Sequence, residues 1–222
     1  KKVSMLQMPQ MVALLNGLGG AASAIVGMFA MFGIGSGFDV FSKITASIAL
    51  AVGMLTLTGS LVAAGKLHKI LPQKPVVWKH HQLITLASVV LMFAGIVIFS
   101  VLGAADKLGI VGGMFALIFL ASGFFGFVFA IRVGGADMPI TISLLNSLSG
   151  VAGAIAGLAI GDILLVAVGG IVGASGLLLT QIMCRAMNRS LFAILAGKTT
   201  SQPGAKHPVA AAPAKAEEKV EP

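Results

Sequence analysis

Apolar residues fill six long runs of this chain, at about 9–33, 41–65, 82–103, 108–131, 138–160 and 163–184. Each run has the ~20 residues that a helix needs to cross the hydrocarbon of a bilayer. The breaks between them are short and carry glycine or charge: Gly33 to Asp39, Lys66 to His81, Gly103 to Lys107, Arg132 to Asp137, and Gly161-Asp162. The pattern predicts an all-α polytopic membrane bundle of about six transmembrane helices. After Gly197 the pattern stops. Residues 198–222, "KTTSQPGAKHPVAAAPAKAEEKVEP", hold Ala, Pro, Lys and Glu with almost nothing to bury, and read as a flexible linker.

Two of the runs share a sequence. "MPQMVALLNGLGGAASAIVG" from Met8 and "MPITISLLNSLSGVAGAIAG" from Met138 are identical at 11 of 20 positions. Four crossings separate the two starts, so the first and fifth spans should point the same way, a parallel internal repeat about an axis normal to the membrane. Proline at the first turn of each has no amide hydrogen to lose. Asn16 and Asn146 lie seven residues beyond those prolines, or ~10 Å into each helix at 1.5 Å per residue.

Composition confirms the membrane assignment. Only 10% of the 222 residues are charged, against about 25% in soluble domains, and the mean hydropathy is +1.02. The 29 glycines suit closely packed membrane helices. A net charge of +8 could suggest nucleic acid, but the basic residues sit at span ends and in the tail, not on one face. They also divide by side. The N-terminus, the 66–81 loop, Arg132 and the segment from Arg185 to Lys198 hold ten Lys/Arg, whereas the opposite side holds Lys43 and Lys107 beside Asp39, Asp106 and Asp162. The positive-inside rule then places both termini in the cytoplasm. The chain opens at Lys1, not Met, and is expected to be a piece of something longer.

Candidate chemistry is sparse. No Asp, Glu, Lys, Arg or His falls centrally in any span, and His68, His80 and His81 are expected in the basic loop. Asn16 and Asn146 each require a partner, because an unsatisfied amide in hydrocarbon is costly. They are either interhelical glue or groups lining a water path. Ser60, in "TGSLVAAGKL", adds a hydroxyl that could equally bond its own helix backbone. Asp137, in "GGADMP", is expected at the water interface at the mouth of the fifth span, where it could simply stabilise a helix start. Gly169, Gly173 and Gly176 fall along one helix face and suit close packing. Cys184, the lone cysteine, reads as a packing residue. No phosphate-binding glycine loop, metal-ligand cluster or nucleophile–base pair is present, so no catalytic, cofactor or metal site is expected in this chain.

Together "MPQMVALLNGLGG", "TGSLVAAGKL", "GGADMPITISLLNSLSG" and "IMCRAMNRS" resemble the membrane region of the beta subunit of proton-translocating NAD(P)+ transhydrogenase, from Lys1 to about Gly197. The resemblance implies a bacterial inner-membrane protein whose membrane part moves protons while soluble domains pass hydride between NAD(H) and NADP(H). It implies as partners an NADP(H)-binding domain beyond the linker, an NAD(H)-binding alpha subunit and a second protomer. Opening helices would precede Lys1. By motif, Ser60 and Asn146 match polar positions of the proton path. Asp137 matches the acidic residue at the cytoplasmic mouth, Arg189 the arginine before the linker, and Gly169, Gly173 and Gly176 the glycine face of the last span. Asn16 departs from the pattern, since some members carry histidine there and asparagine does not titrate. Two other classes compete with this reading: a stand-alone transporter or channel for a small solute, and a scaffold for soluble partners.

Overall fold

The computed structural model describes residues 8–35, 39–103 and 108–195. It is all-helical over those residues. The long helices are α1 (Met8–Met31), α2 (Val40–Leu67), α3 (His81–Leu102), α4 (Leu108–Ile131), α5 (Met138–Ile160) and α6 (Ile163–Ala186). A 3₁₀ turn at Gly135–Asp137 precedes α5, and a short helix, α7 (Leu191–Leu195), follows α6. All six long helices are apolar and long enough to cross a membrane, since 22 residues at 1.5 Å each already span about 33 Å. The bundle therefore agrees with the six apolar runs, to within three residues at each end. Residues 198–222, Lys1, Lys2, Asp106 and Lys107 lie outside the described residues.

Local chemistry sets the helix ends. Asp39 caps α2, its carboxylate accepting from the backbone N–H of Phe41 and Ser42. Asp162 does the same for α6 through Leu165 N–H at 3.0 Å. Between α5 and α6 only Gly161 intervenes before that cap, in the left-handed region at φ +74° that glycine enters without strain. Pro139 occupies the first turn of α5.

The α2 helix is the centre of the bundle and packs on α1, α3, α4 and α5. Glycine permits its closest approach to α1. A Cβ on Gly20 would fall 2.7 Å from the Gly53 carbonyl oxygen, and one on Gly53 only 2.5 Å from the Gly20 oxygen. Lysines fix both ends of α2. Lys43 Nζ donates to Gly103 O at the end of α3, at 3.0 Å, and Lys66 Nζ donates to Ile131 O and to Val133 O (2.8 Å) at the end of α4. Expected in an aqueous loop, Lys66 instead belongs to the last turn of α2 and is fully buried. His81, also expected in the loop, is the buried first residue of α3.

On the far side α6 lies against α5 along a strip of Gly169, Gly173, Gly176, Thr180 and Cys184. A Cβ on Gly169 would sit 2.4 Å from Ala154 N, and one on Gly176 would sit 2.9 Å from Ser147 Cα. Hydroxyls bind the same seam. Ser147 donates to Gly173 O at 2.6 Å, and Thr180 to Ser143 Oγ at 3.0 Å.

Candidate functional site

Asn16, Ser60 and Asn146 stand on three helices, of which α1 touches the other two at this level. On α1, Asn16 is 7% exposed, and its Nδ2 donates to Ile142 O of α5 at 3.3 Å. One turn further along α5 stands Asn146, on the same helical face as Ile142. The contact continues upward, with Ser149 Oγ 2.6 Å from where a Cβ on Gly19 would be, and Ser23 Oγ 3.9 Å from one on Gly153. Paired positions climb together along both chains, so α1 and α5 run in the same direction.

Ser60 of α2 closes this corner from the third side, its Cβ 3.2 Å from the place a Cβ on Gly17 would take. The hydroxyl is fully buried and has no hydrogen-bond partner. That is unusual within α2, where Thr45, Ser47, Thr56 and Thr58 each return their hydroxyl to a carbonyl of the preceding turn. A buried hydroxyl left unpaired costs about 1–3 kcal/mol. Asn146 is half-buried and makes no hydrogen bond among the described residues, and Asn16 Oδ1 accepts none. The corner thus carries one bonded amide donor and several free donors and acceptors.

Apolar layers lie on either side of it. Toward one end Ala24, Leu50 and Met54 belong to a core with Met31, Phe99 and Ile118. Toward the other, Ala13, Ala63 and Leu145 join one with Val133, Met138 and Cys184. Asn16 lies between Ala13 and Ala24 on α1, and Ser60 between Met54 and Ala63 on α2. Polar groups therefore interrupt the apolar core at one level of the bundle.

A second feature sits at the start of α5. The backbone after α6 turns back through Asn188, in the left-handed region at φ 52°, with Arg189 N–H donating to Cys184 O at 2.8 Å. This turn brings Arg189 Nε to 3.0 Å from Asp137 Oδ1, a charge pair off the axis of a hydrogen bond. The two residues are 52 apart in sequence. The Asp137 side chain is only 4% exposed and gives α5 no side-chain cap. The expectation of a carboxylate at the water interface is corrected accordingly: packing of the segment after α6 over the α5 start removes it from solvent.

Sequence reasoning missed three buried basic side chains around the end of α4: Lys66, His81 and Arg132. Hydropathy averages over a window and cannot tell a cation at a span end that faces water from one turned under the bundle. Groups of His, Cys, Asp or Glu that could hold a metal are absent among the described residues.

These features define a polytopic helical membrane protein with an uncharged polar layer in its core and a buried ion pair at one end. The family described as NAD(P) transhydrogenase beta subunit matches residues 1–221, and the chain belongs to that family. Two curated relatives are the NAD(P) transhydrogenase subunit beta of Rhodospirillum rubrum and the subunit of the same name from a designated strain of that species. Each is 38% identical over 211 residues, covering 92% of this chain and 44% of the relative. The chain thus spans less than half the length of these relatives.

Proposed function

We propose that this chain is the proton-translocating membrane region of an NAD(P) transhydrogenase, in which hydride transfer between NAD(H) and NADP(H) in soluble domains is coupled to proton movement. The observation that carries this reading is the corner formed by Asn16, Ser60 and Asn146. Its free hydrogen-bonding groups lie inside an apolar bundle, and none of them titrates near neutral pH. Such groups order water, and water carries the proton past them. Asn16 and Asn146 occupy equivalent places in the two copies of the parallel repeat, so the path uses one polar position from each.

The Asp137–Arg189 pair is the coupling end. Asp137 begins the helix that carries Asn146, nine residues or about 14 Å away. Arg189 follows the helix packed on it through Gly169, Gly173 and Gly176. A pull on the segment after Arg189 therefore moves α6 and α5 together against α1. The segment beyond Gly197 links to an NADP(H)-binding domain of the same subunit, and an NAD(H)-binding alpha subunit supplies the other nucleotide. The complete assembly is a homodimer in the bacterial inner membrane, with both ends of this segment cytoplasmic. No nucleotide binds to the membrane region itself.

Ser60→Ala in the complete enzyme tests this assignment. Removing an unpaired buried hydroxyl is neutral or stabilising for the fold, yet should lower the protons taken up per hydride transferred in reconstituted liposomes. An unchanged proton-to-hydride ratio would remove Ser60 from the path.

A further inference from the structure

Arg132, just past the end of α4, is 6% exposed and makes no hydrogen bond or ion pair among the described residues. Its guanidinium carbon lies 6.0 Å from the centroid of the Phe129 ring. Burial pushes its pKa down, the direction expected of a cation without compensation. The carbonyls that could have received it are taken. Ile131 O and Val133 O accept from Lys66, Ile131 O also from Val76 N–H, and Val128 O is bonded to His81 Nε2. Each of these cationic or titratable neighbours adds positive or neutral charge, and none adds negative charge. Among the described residues the carboxylates are Asp39, Asp162 and Asp137. The first two cap helices at the opposite end of the bundle, and Asp137 faces Arg189.

Arg132 lines a groove of about 350 Å³ between α3 and α4. Leu86, Val89, Phe125 and Phe129 give it an apolar lining, and Gln82, Thr85 and Arg132 are its polar residues. Next to its lining residues on α3, Leu83, Val90 and Phe93 are exposed as a membrane-facing helix requires. Trp78 lies at the same end, its ring 5.7 Å from His81 and 6.3 Å from Phe127. Tryptophan favours the headgroup level of a bilayer. A buried fork of donors and an apolar channel leading from it along the membrane are two parts of a lipid site.

We propose that this groove binds one anionic phospholipid, its phosphate held by Arg132 with Gln82 and an acyl chain lying over Leu86, Val89 and Phe129. The lipid supplies the negative charge that the described protein lacks at this point. An anionic headgroup is preferred over a zwitterionic one because the latter brings its own cation to a site that already holds Lys66 and Arg132.

Native mass spectrometry of the delipidated full-length protein, titrated with phosphatidylglycerol or phosphatidylcholine of matched chains, tests the assignment. The parent should retain phosphatidylglycerol about fivefold better, the effect of roughly one basic group. Arg132→Gln should lose that preference. Val89→Trp, which fills the groove and leaves every charge in place, should weaken retention of both lipids, and it decides the matter if Arg132→Gln does not fold. Equal retention of the two lipids by the parent, a preference that survives Arg132→Gln, or full retention in Val89→Trp would overturn the proposal. So would displacement of the lipid by millimolar inorganic phosphate, which would mark a free-anion site. Loss of subunit association in Arg132→Gln without any lipid preference in the parent would assign the guanidinium to a protein carboxylate instead, and would also overturn it.

Discussion

Asp137 shows how burial changes a prediction. A carboxylate in water at a helix start contributes about 1 kcal/mol or less through the dipole. Asp137 is almost entirely buried against Arg189, whose side chain is 31% exposed. Removing one member of a fully buried pair costs 3–5 kcal/mol, and partial exposure of Arg189 reduces this to about 2 kcal/mol. Asp137→Asn should therefore lower both thermal stability and coupled activity, whereas Arg189→Lys, which keeps the charge, should recover most of the stability. Melting curves of the two variants beside the parent check it, and an Asp137→Asn protein that melts with the parent would contradict the pair. Asn16 gives the complementary case. Asn16→His should be tolerated and should make proton uptake depend on pH, with a midpoint below the ~6.5 of free histidine because burial disfavours the charged ring. A flat pH profile in that variant would leave position 16 outside the path.

At the scale of helices, close packing is a matter of single methyl groups. Gly169 and Gly170 are neighbours on α6 with the same intrinsic helix cost, but only Gly169 faces α5. A Cβ at Gly169 would lie 2.4 Å from Ala154 N, whereas one at Gly170 meets nothing within 4 Å. Gly169→Ala should thus force α5 and α6 apart and lower stability by at least ~2 kcal/mol, in the range of overpacking. Gly170→Ala should be neutral or stabilise by up to ~1 kcal/mol from helix propensity. Equal melting temperatures for the two would refute the packing argument.

The helices themselves were legible in sequence because hydrocarbon demands ~20 apolar residues in a row and tolerates little else. So were their ends, since Asp39, Pro139, Gly161 and Asp162 act within a turn of where they stand. The shared direction expected of the first and fifth spans required only a count of crossings, whereas their contact was not legible, since no sequence pattern says which spans meet. Legibility failed where a residue's role depends on a partner far along the chain. Nothing near Asp137 in sequence announces Arg189. Lys66 and Arg132 look like ordinary basic residues flanking a span, but both are buried, Lys66 by the α2–α4 contact and Arg132 at the α3–α4 groove. Ser60 is the sharpest instance, because a serine in a helix ordinarily bonds its own backbone and this one does not.

For the molecule as a whole, the ten-to-two division of Lys and Arg predicts which ends face the cytoplasm. Single cysteines at positions 74 and 106 should be labelled by an impermeant reagent from opposite sides of the membrane, and labelling from one side would refute the topology. The described bundle presents no glycine loop able to cradle a dinucleotide phosphate, so calorimetry of the 222-residue chain should detect binding of neither NAD(H) nor NADP(H). Micromolar binding of either would contradict that division of labour.

Uncharged amides should pass protons through the bundle by ordering the water that carries them. Leucine matches asparagine approximately in volume and can neither donate nor accept a hydrogen bond. Proton uptake by liposomes containing the reconstituted complete enzyme, recorded together with hydride transfer in the same samples, therefore tests it most directly. Asn146→Leu should leave hydride transfer measurable while proton uptake per hydride falls severalfold, and Asn16→Leu should lower it to a smaller extent. If both variants pump at the parent ratio, the amides only hold α1 to α5, and the proton path lies elsewhere.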